Sequence, residues 1–236
     1  MDNPWASLGT TTPFIAGLDG CRDGWIAAIE EHGVTRLRVL GSLKSLLEDP
    51  ALIAAIIDVP IGLPEGGPRR CDLLARQLLR APRASSVFPA PIRPMLPARD
   101  QAEASRLRFA AEGKRCSVQL AAILPKIREV DGLLNPGIQL KVREGHPEVS
   151  FAIMNGSQSM SHPKRRSAGR DERIGLLRGH FPDVLEALAG VGRFGEDAVD
   201  AFAMLWTARR LVEGASRTLP EAPDVDQRGL RMEMVV

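Results

Sequence analysis

Ile53 to Val59, "IAAIIDV", stays apolar without the alternation of a half-solvated strand and breaks that run once, at Asp58. A continuous apolar stretch of this length fits a strand covered on both faces, and such strands belong to partly parallel sheets with helices on either side. The feature points to an α/β fold. An earlier run, Phe14 to Leu18, has the same character and also ends on a carboxylate, Asp19, within "FIAGLDGCRDGW". After it, Asp23-Gly24 and His32-Gly33 are turn signals, and Trp25–Ile29 and Thr35–Leu40 read as the second and third strands of an antiparallel meander. Ser42 is placed to cap a short helix through Leu47.

Between Pro60 and Pro97 lie eight of the eighteen prolines, including "SSVFPAPIRP" at Ser85 to Pro94. Proline removes backbone donors, so this stretch is no sheet interior. It reads as a Pro/Arg-rich insertion after the fourth strand, about residues 60–115, with a helix over Cys71–Leu79. Helical patterns follow over Arg99–Ala111 and Ser117–Leu134, then a strand at Gln139–Val142 and a helix opened by Pro147 that ends at Asn155-Gly156. Ser157–Arg170 is polar and basic and reads as a mobile loop, and Glu196–Val212 is the clearest helix. The 236 residues fit a single domain over 14–236 behind an N-terminal tail of residues 1–13.

The composition is that of an ordinary globular protein, with 44% hydrophobic and 25% charged residues. Met1 to Phe14 holds no Lys or Arg and no long apolar block, so no targeting peptide is expected. The most apolar stretch, Ala51 to Leu63, is interrupted by Asp58 and Pro60 and falls short of the roughly 20 residues that span a bilayer. A cytoplasmic protein without a membrane partner is the expectation. Cys21, Cys71 and Cys116 are far apart and form no C-x-x-C pair, which excludes a disulfide framework and a zinc knuckle and leaves reduced, structural thiols. Net charge is +2, yet Arg69 to Arg115 carries an excess of seven positive charges, leaving −5 on the remainder. That segment fits an anionic ligand or a solvated, arginine-rich arm equally well.

The carboxylates carry the chemistry. Asp19 and Asp58 stand at strand ends, where a fold holds a polar group rigidly and keeps it accessible. Each is either a turn cap or half of a site where two converging carboxylates share a cation. In "GEDAVDAFAMLWTARR", Asp197 and Asp200 lie three apart on one helix face, while Val199, Phe202, Leu205, Trp206 and Leu211 form the stripe that packs on a sheet. Asp197 alone suits the first helical turn, but Asp200 is a full turn inside, and the pair is most simply explained by a divalent cation. In "EGHPE", Glu144, His146 and Glu148 share a face if the chain is extended; if Pro147 opens a helix, Glu148 lies in its first turn. His146 is then a general base or phosphate donor and Glu148 an extra ligand or orienting group, or else Glu148 caps the helix and His146 satisfies a buried carbonyl. Arg69, Arg70, Arg76, Lys164, Arg165 and Arg166 are candidates for phosphate contacts. Tyrosine is absent and aromatics are 4%, so stacking platforms are few and a structured or duplex nucleic acid fits better than a free strand.

Strand "GLDG", the meander, the fourth strand in "IIDVPIGLP" and the late helix with "DAVDA" together resemble the ribonuclease H-like fold, a mixed sheet flanked by helices, in its Holliday-junction-resolvase variant. Beyond the fold, "DVPIGLPEGGPRRCDLLARQLL", "SSVFPAP", "PKIREVDGLL", "VREGHPEVSF" and "GLRMEMV" resemble the predicted RNase H-like nuclease family known as domain of unknown function 429, from about Phe14 to Val236. The resemblance implies a phosphodiesterase in which Asp19 bridges two Mg²⁺ or Mn²⁺ ions about 3.5 to 4 Å apart, with Asp58 and Asp200 completing the ligands and Asp197 as a further ligand or its support. Oxygen donors without Cys or clustered His favour Mg²⁺ over zinc. Two other functions share this core. An actin-like or sugar-kinase phosphotransferase also reads D-G-x-x-G at Asp19 to Gly24, but requires a second glycine-rich loop that the middle of the chain lacks; a non-catalytic binding protein would retain the fold alone.

Overall fold

Both turn signals become hairpins. β1 (Phe14–Cys21), β2 (Gly24–Glu31) and β3 (Val34–Leu40) pair antiparallel, with Cys21 opposite Gly24 and Glu31 opposite Val34. In the first turn Gly24 adopts φ +126° and leaves no room for a Cβ against the Leu40 carbonyl, two demands that only glycine meets. The computed structural model describes residues 12–236, so the tail expected at 1–13 lies, up to residue 11, outside the described residues.

After the short helix α1 (Lys44–Leu47), β4 (Leu52–Ile57) lies parallel to β1. Then come α2 (Arg70–Leu79), α3 (Gln101–Glu112) and α4 (Val118–Leu133). β5 (Val142–Glu144) joins parallel to β4. The chain continues through α5 (Pro147–Met154), α6 (Ser167–Arg178), α7 (Val184–Ala189) and α8 (Gly195–Val212) to a separate pair of strands, β6 (Thr218–Val225) and β7 (Arg231–Val235). The main sheet is mixed, in the order β3-β2-β1-β4-β5, with β2 alone running against the others. The protein is thus α/β, a five-stranded mixed sheet flanked by helices.

Period-two alternation sorts the sheet residues onto its faces. Ile15, Cys21, Ala54 and Ile56 bury against Phe151 of α5, Leu177 of α6 and Phe202 of α8. Phe14, Ala16, Leu18, Ala55 and Ile57 bury on the other side, against Leu46 of α1 and Ile127 and Val130 of α4. With both faces covered, β1 and β4 read as unbroken apolar runs. α8 is itself an interior helix: every residue from Ala198 to Ala208 is buried. It touches β1 without a spacer, because a Cβ on Gly17 would lie 2.0 Å from the Leu205 nitrogen and 2.2 Å from the Ala201 carbonyl oxygen.

Three sequence expectations are refined by the structure, and one pair of strands goes unforeseen. The strand expected at Gln139–Val142 begins only at Val142, with a 3₁₀ turn at Ile138–Leu140 before it. Gln139 is buried and exchanges hydrogen bonds of 2.8 Å with the Arg231 backbone, so it ties this turn to β7 instead of joining the ladder. Ser42 stands one residue before the N-cap position of α1, Leu43; its Oγ accepts the Lys44 N–H at 3.3 Å, as a cap would, and its hydroxyl donates to Glu129 of α4 at 2.8 Å. The segment expected as a loop to Arg170 becomes helical at Ser167, where Gly169 bears on the Pro163 carbonyl. β6 carries Pro220 and Pro223 and pairs with β7 through an irregularity between Leu219 and Asp224, so it lacks a strand-like sequence.

Candidate functional site

Parity and register decide where the acids go. Asp19 follows Gly17 on the α8 face of β1, and Asp58 follows Ile56 on the same face of β4. The two strands are in register at Gly17–Ile56 and Leu18–Ile57, and the Asp58 N–H donates to the Leu18 carbonyl at 3.0 Å, so Asp58 extends the ladder beside Asp19. Asp200 stands one residue before Ala201, at the point where α8 touches Gly17. Three carboxylates from three elements therefore line one cavity of about 490 Å³, together with His146, Glu148, Lys126, Lys164 and Arg165.

Crowding has electrostatic consequences. Burial, then the charges of Asp58 and Asp200, hold the Asp19 carboxyl well above its usual range. Asp58 is raised as well, by burial and by Asp200 and Glu148, with His146 pulling the other way. Asp197 is raised by burial and by Asp200, but it does not line the cavity. Among the described residues that line the cavity, Lys164 reaches the cluster directly: its Nζ donates to Asp200 Oδ2 at 2.6 Å. Burial works against the ammonium, yet Asp200, Asp19 and Asp58 outweigh it and raise its pKa.

α5 supplies the other wall. Pro147 opens it, placing Glu148 in the first turn, and Gly145 before it lets β5 approach Ile56 and Met204, which a Cβ would meet at 2.4 and 3.0 Å. Glu148 is buried. Its Oε1 accepts two hydrogen bonds from Arg173 of α6, at 3.0 and 2.5 Å, whereas Oε2 has no hydrogen-bond partner. His146 Nε2 lies 3.2 Å from the Ser86 carbonyl, and Nδ1 is buried without a partner. Because a carbonyl only accepts, Nε2 carries the proton in that contact, and a neutral His146 keeps its lone pair at Nδ1. The sequence indicated neither Arg173 nor Ser86, since each acts through a partner distant along the chain.

The arm's arginines require a correction. Arg69, expected on a phosphate-binding surface, has a side chain only 1% exposed. It donates to both Glu144 oxygens at 2.7 Å, to Asp72 at 2.6 Å and to the Ile61 carbonyl at 3.1 Å. Its charge is consumed in tying α2 to β5. Arg76 donates to the Val87 carbonyl at 3.0 Å, and Arg70 stands 3.5 Å from Asp224; neither lines the cavity. Arg166 is exposed and also outside it. Glu144, grouped with His146 and Glu148 in the extended reading, belongs to the Arg69 cluster instead, where burial pushes it up to about 7 against the guanidinium's pull.

Among the described residues, the set of three donors whose ligand atoms come within 4.8 Å of one another is Cys71, Asp72 and Glu144. It is no metal centre, since Arg69 already ion-pairs with both carboxylates and burial pushes the Cys71 thiol up, away from the thiolate that a metal binds. The oxygens of Asp19, Asp58 and Asp200 do not gather that closely, as expected of like charges sharing one ammonium. No helix among the described residues is long and apolar enough to cross a membrane.

No curated protein and no solved structure matches the chain. The profile of one family, described as "Protein of unknown function (DUF429)", matches residues 17–225, which include every acid lining the cavity. The chain belongs to the DUF429 family.

Proposed function

We propose that this protein is a nuclease of the ribonuclease H-like kind, hydrolysing phosphodiester bonds of a structured or duplex nucleic acid with the help of Mg²⁺ or Mn²⁺. The observation that carries this reading is the convergence of Asp19, Asp58 and Asp200, from two parallel strands and the helix packed on them, in one cavity. The strand order, with the second strand alone reversed, supports it by its likeness to the ribonuclease H-like sheet. The donors fit a hard divalent cation: they are carboxylate oxygens, mutually repelling, with the unpartnered Glu148 Oε2 in the same wall. Such an ion, when bound, lowers the pKa of an attacking water and stabilises the leaving oxygen.

The chain's own groups do the rest. Asp19, Asp58 and Asp200 hold the cation, and Asp197 reinforces the negative field from one turn earlier on α8. Arg173 holds Glu148 through Oε1 and leaves Oε2 without a hydrogen-bond partner, a further acceptor in a residue that lines the cavity. His146, its ring oriented by the Ser86 carbonyl, takes a proton at Nδ1 from the water that attacks phosphorus. Lys164 and Arg165 offer positive charge to the phosphate. The test is cleavage of a panel of branched and linear nucleic acids with Mg²⁺ or Mn²⁺. Wild type should cut at least one, and Asp19→Asn and Asp200→Asn should cut none while remaining folded. Full activity in either variant would end this assignment.

A further inference from the structure

Lys164 enters the acid cluster from the segment 157–166, and its ammonium occupies a place where a second cation would be expected. The contact with Asp200 Oδ2, at 2.6 Å, is as short as a Ca²⁺–oxygen bond, and the Asp200 side chain is only 2% exposed. The base of this lysine is held in place. The N–H groups of Ser161 and His162 donate to Glu172 at 2.7 and 3.0 Å. Arg83 donates to the carbonyls of Met160 and Ser161 at 2.9 and 3.1 Å, and Arg173 to that of His162 at 3.2 Å. Pro163 is packed against Gly169 so closely that a Cβ there would lie 2.1 Å from its carbonyl oxygen. An ammonium presented by so well-anchored a segment is part of the site's construction.

Charge balance agrees. Arg173 already answers Glu148, Arg69 is paired with Asp72 and Glu144, and Lys126 is turned to the Gly24 carbonyl, so the cavity's remaining acids are Asp19, Asp58 and Asp200. One divalent ion and one ammonium neutralise those three carboxylates, whereas two divalent ions and the ammonium would leave an excess of positive charge in a buried place. We infer that Lys164 permanently fills one of the two cation positions, so that the site takes a single divalent ion among Asp19, Asp58 and Asp200 and presents the Lys164 ammonium to the phosphate as its second positive charge. This rests on the nuclease reading but departs from the two-ion arrangement that the family resemblance implies.

Counting Mn²⁺ tests the inference without any substrate. Titration calorimetry should give one Mn²⁺ per chain for wild type, with the paramagnetic resonance spectrum of an isolated ion. Lys164→Met and Lys164→Gln, changes at a half-exposed side chain, should each bind two, with the spectrum of an exchange-coupled pair. Lys164→Arg should remain at one. Two ions in wild type, or one ion in both neutral variants, would overturn the inference and leave the nuclease assignment standing. No Mn²⁺ bound by any of these proteins would overturn the assignment itself, and the inference with it.

Discussion

The backbone nitrogen of Leu205 lies 2.0 Å from the place where Gly17 would carry a Cβ. That approach brings Asp200 over the end of β1, so the strand's glycine is as much a part of the site as its aspartate. Gly17→Ala must push α8 off the sheet and should cost about 1–3 kcal/mol, as core overpacking does. Urea unfolding with EDTA and with Mn²⁺ checks this. The variant should unfold at lower urea and gain less from Mn²⁺, while Gly66→Ala, with open space around it, should match wild type.

Carboxylates held above their usual pKa make a testable pH signature. Asp19, raised by burial and by Asp58 and Asp200, binds its proton more tightly folded than unfolded. Its contribution to stability is therefore present below the ordinary carboxylate value of 3.8 and lost as pH rises through the higher folded value. Asp58, also raised, acts in the same direction. In EDTA the wild type should lose melting temperature from acidic to neutral pH more steeply than Asp19→Asn or Asp58→Asn. At neutral pH the variants should melt as high as wild type or higher, and with Mn²⁺ the order should reverse. An aspartate that merely caps a turn would instead cost about 0.5–2 kcal/mol when replaced, with or without the ion.

Arg69 and Arg165 are both arginines near one cavity, yet they should behave oppositely. Removing Arg69 leaves Glu144 and Asp72 buried without their counter-charge, so Arg69→Met should destabilise by about 3–5 kcal/mol. The double change Arg165→Ser with Arg166→Ser should leave stability alone and weaken nucleic-acid binding. It should also flatten the salt dependence of binding, by about one counterion for each phosphate that the variant no longer neutralises. Denaturant unfolding and binding isotherms over a salt series separate the two outcomes.

If His146 takes the proton from water, His146→Ala should lower kcat by about 100- to 10,000-fold and leave KM nearly unchanged. Added imidazole should restore part of the rate, which a purely structural histidine would not allow. Single-turnover kinetics at saturating substrate supply the measurement.

The ends of the strands are legible in the sequence because they depend on local rules. That Asp19 and Asp58 each close an apolar run is explicit in "FIAGLD" and "IAAIID", as is the i, i+3 spacing of Asp197 and Asp200, but their common face follows only from the register of β1 with β4. Partners are not explicit. Arg69 finds Glu144 across 75 residues, Lys164 finds Asp200 across 36 and Arg173 finds Glu148 across 25. No periodicity records such pairings, so a run of arginines reads as a binding surface although Arg69, Arg76 and Arg83 are engaged with the protein's own carboxylates and carbonyls. The start of β5 is hidden for a related reason, since Gln139 sits among apolar neighbours but serves a distant backbone.

At Gly17, α8 and β1 meet main chain to main chain, with no side chain between them to repack, whereas Gly145 before α5 sits against the Ile56 and Met204 side chains. The Cα atoms that carry Asp19 and Asp200 are therefore fixed by the backbone, and adjustment falls to the short carboxylate arms alone. A frame of this kind discriminates between ions by radius. Mg²⁺ requires oxygens at about 2.0–2.1 Å, whereas Ca²⁺ accepts about 2.3–2.6 Å. With little freedom to widen or contract, the same three aspartates present these two ions with different fits.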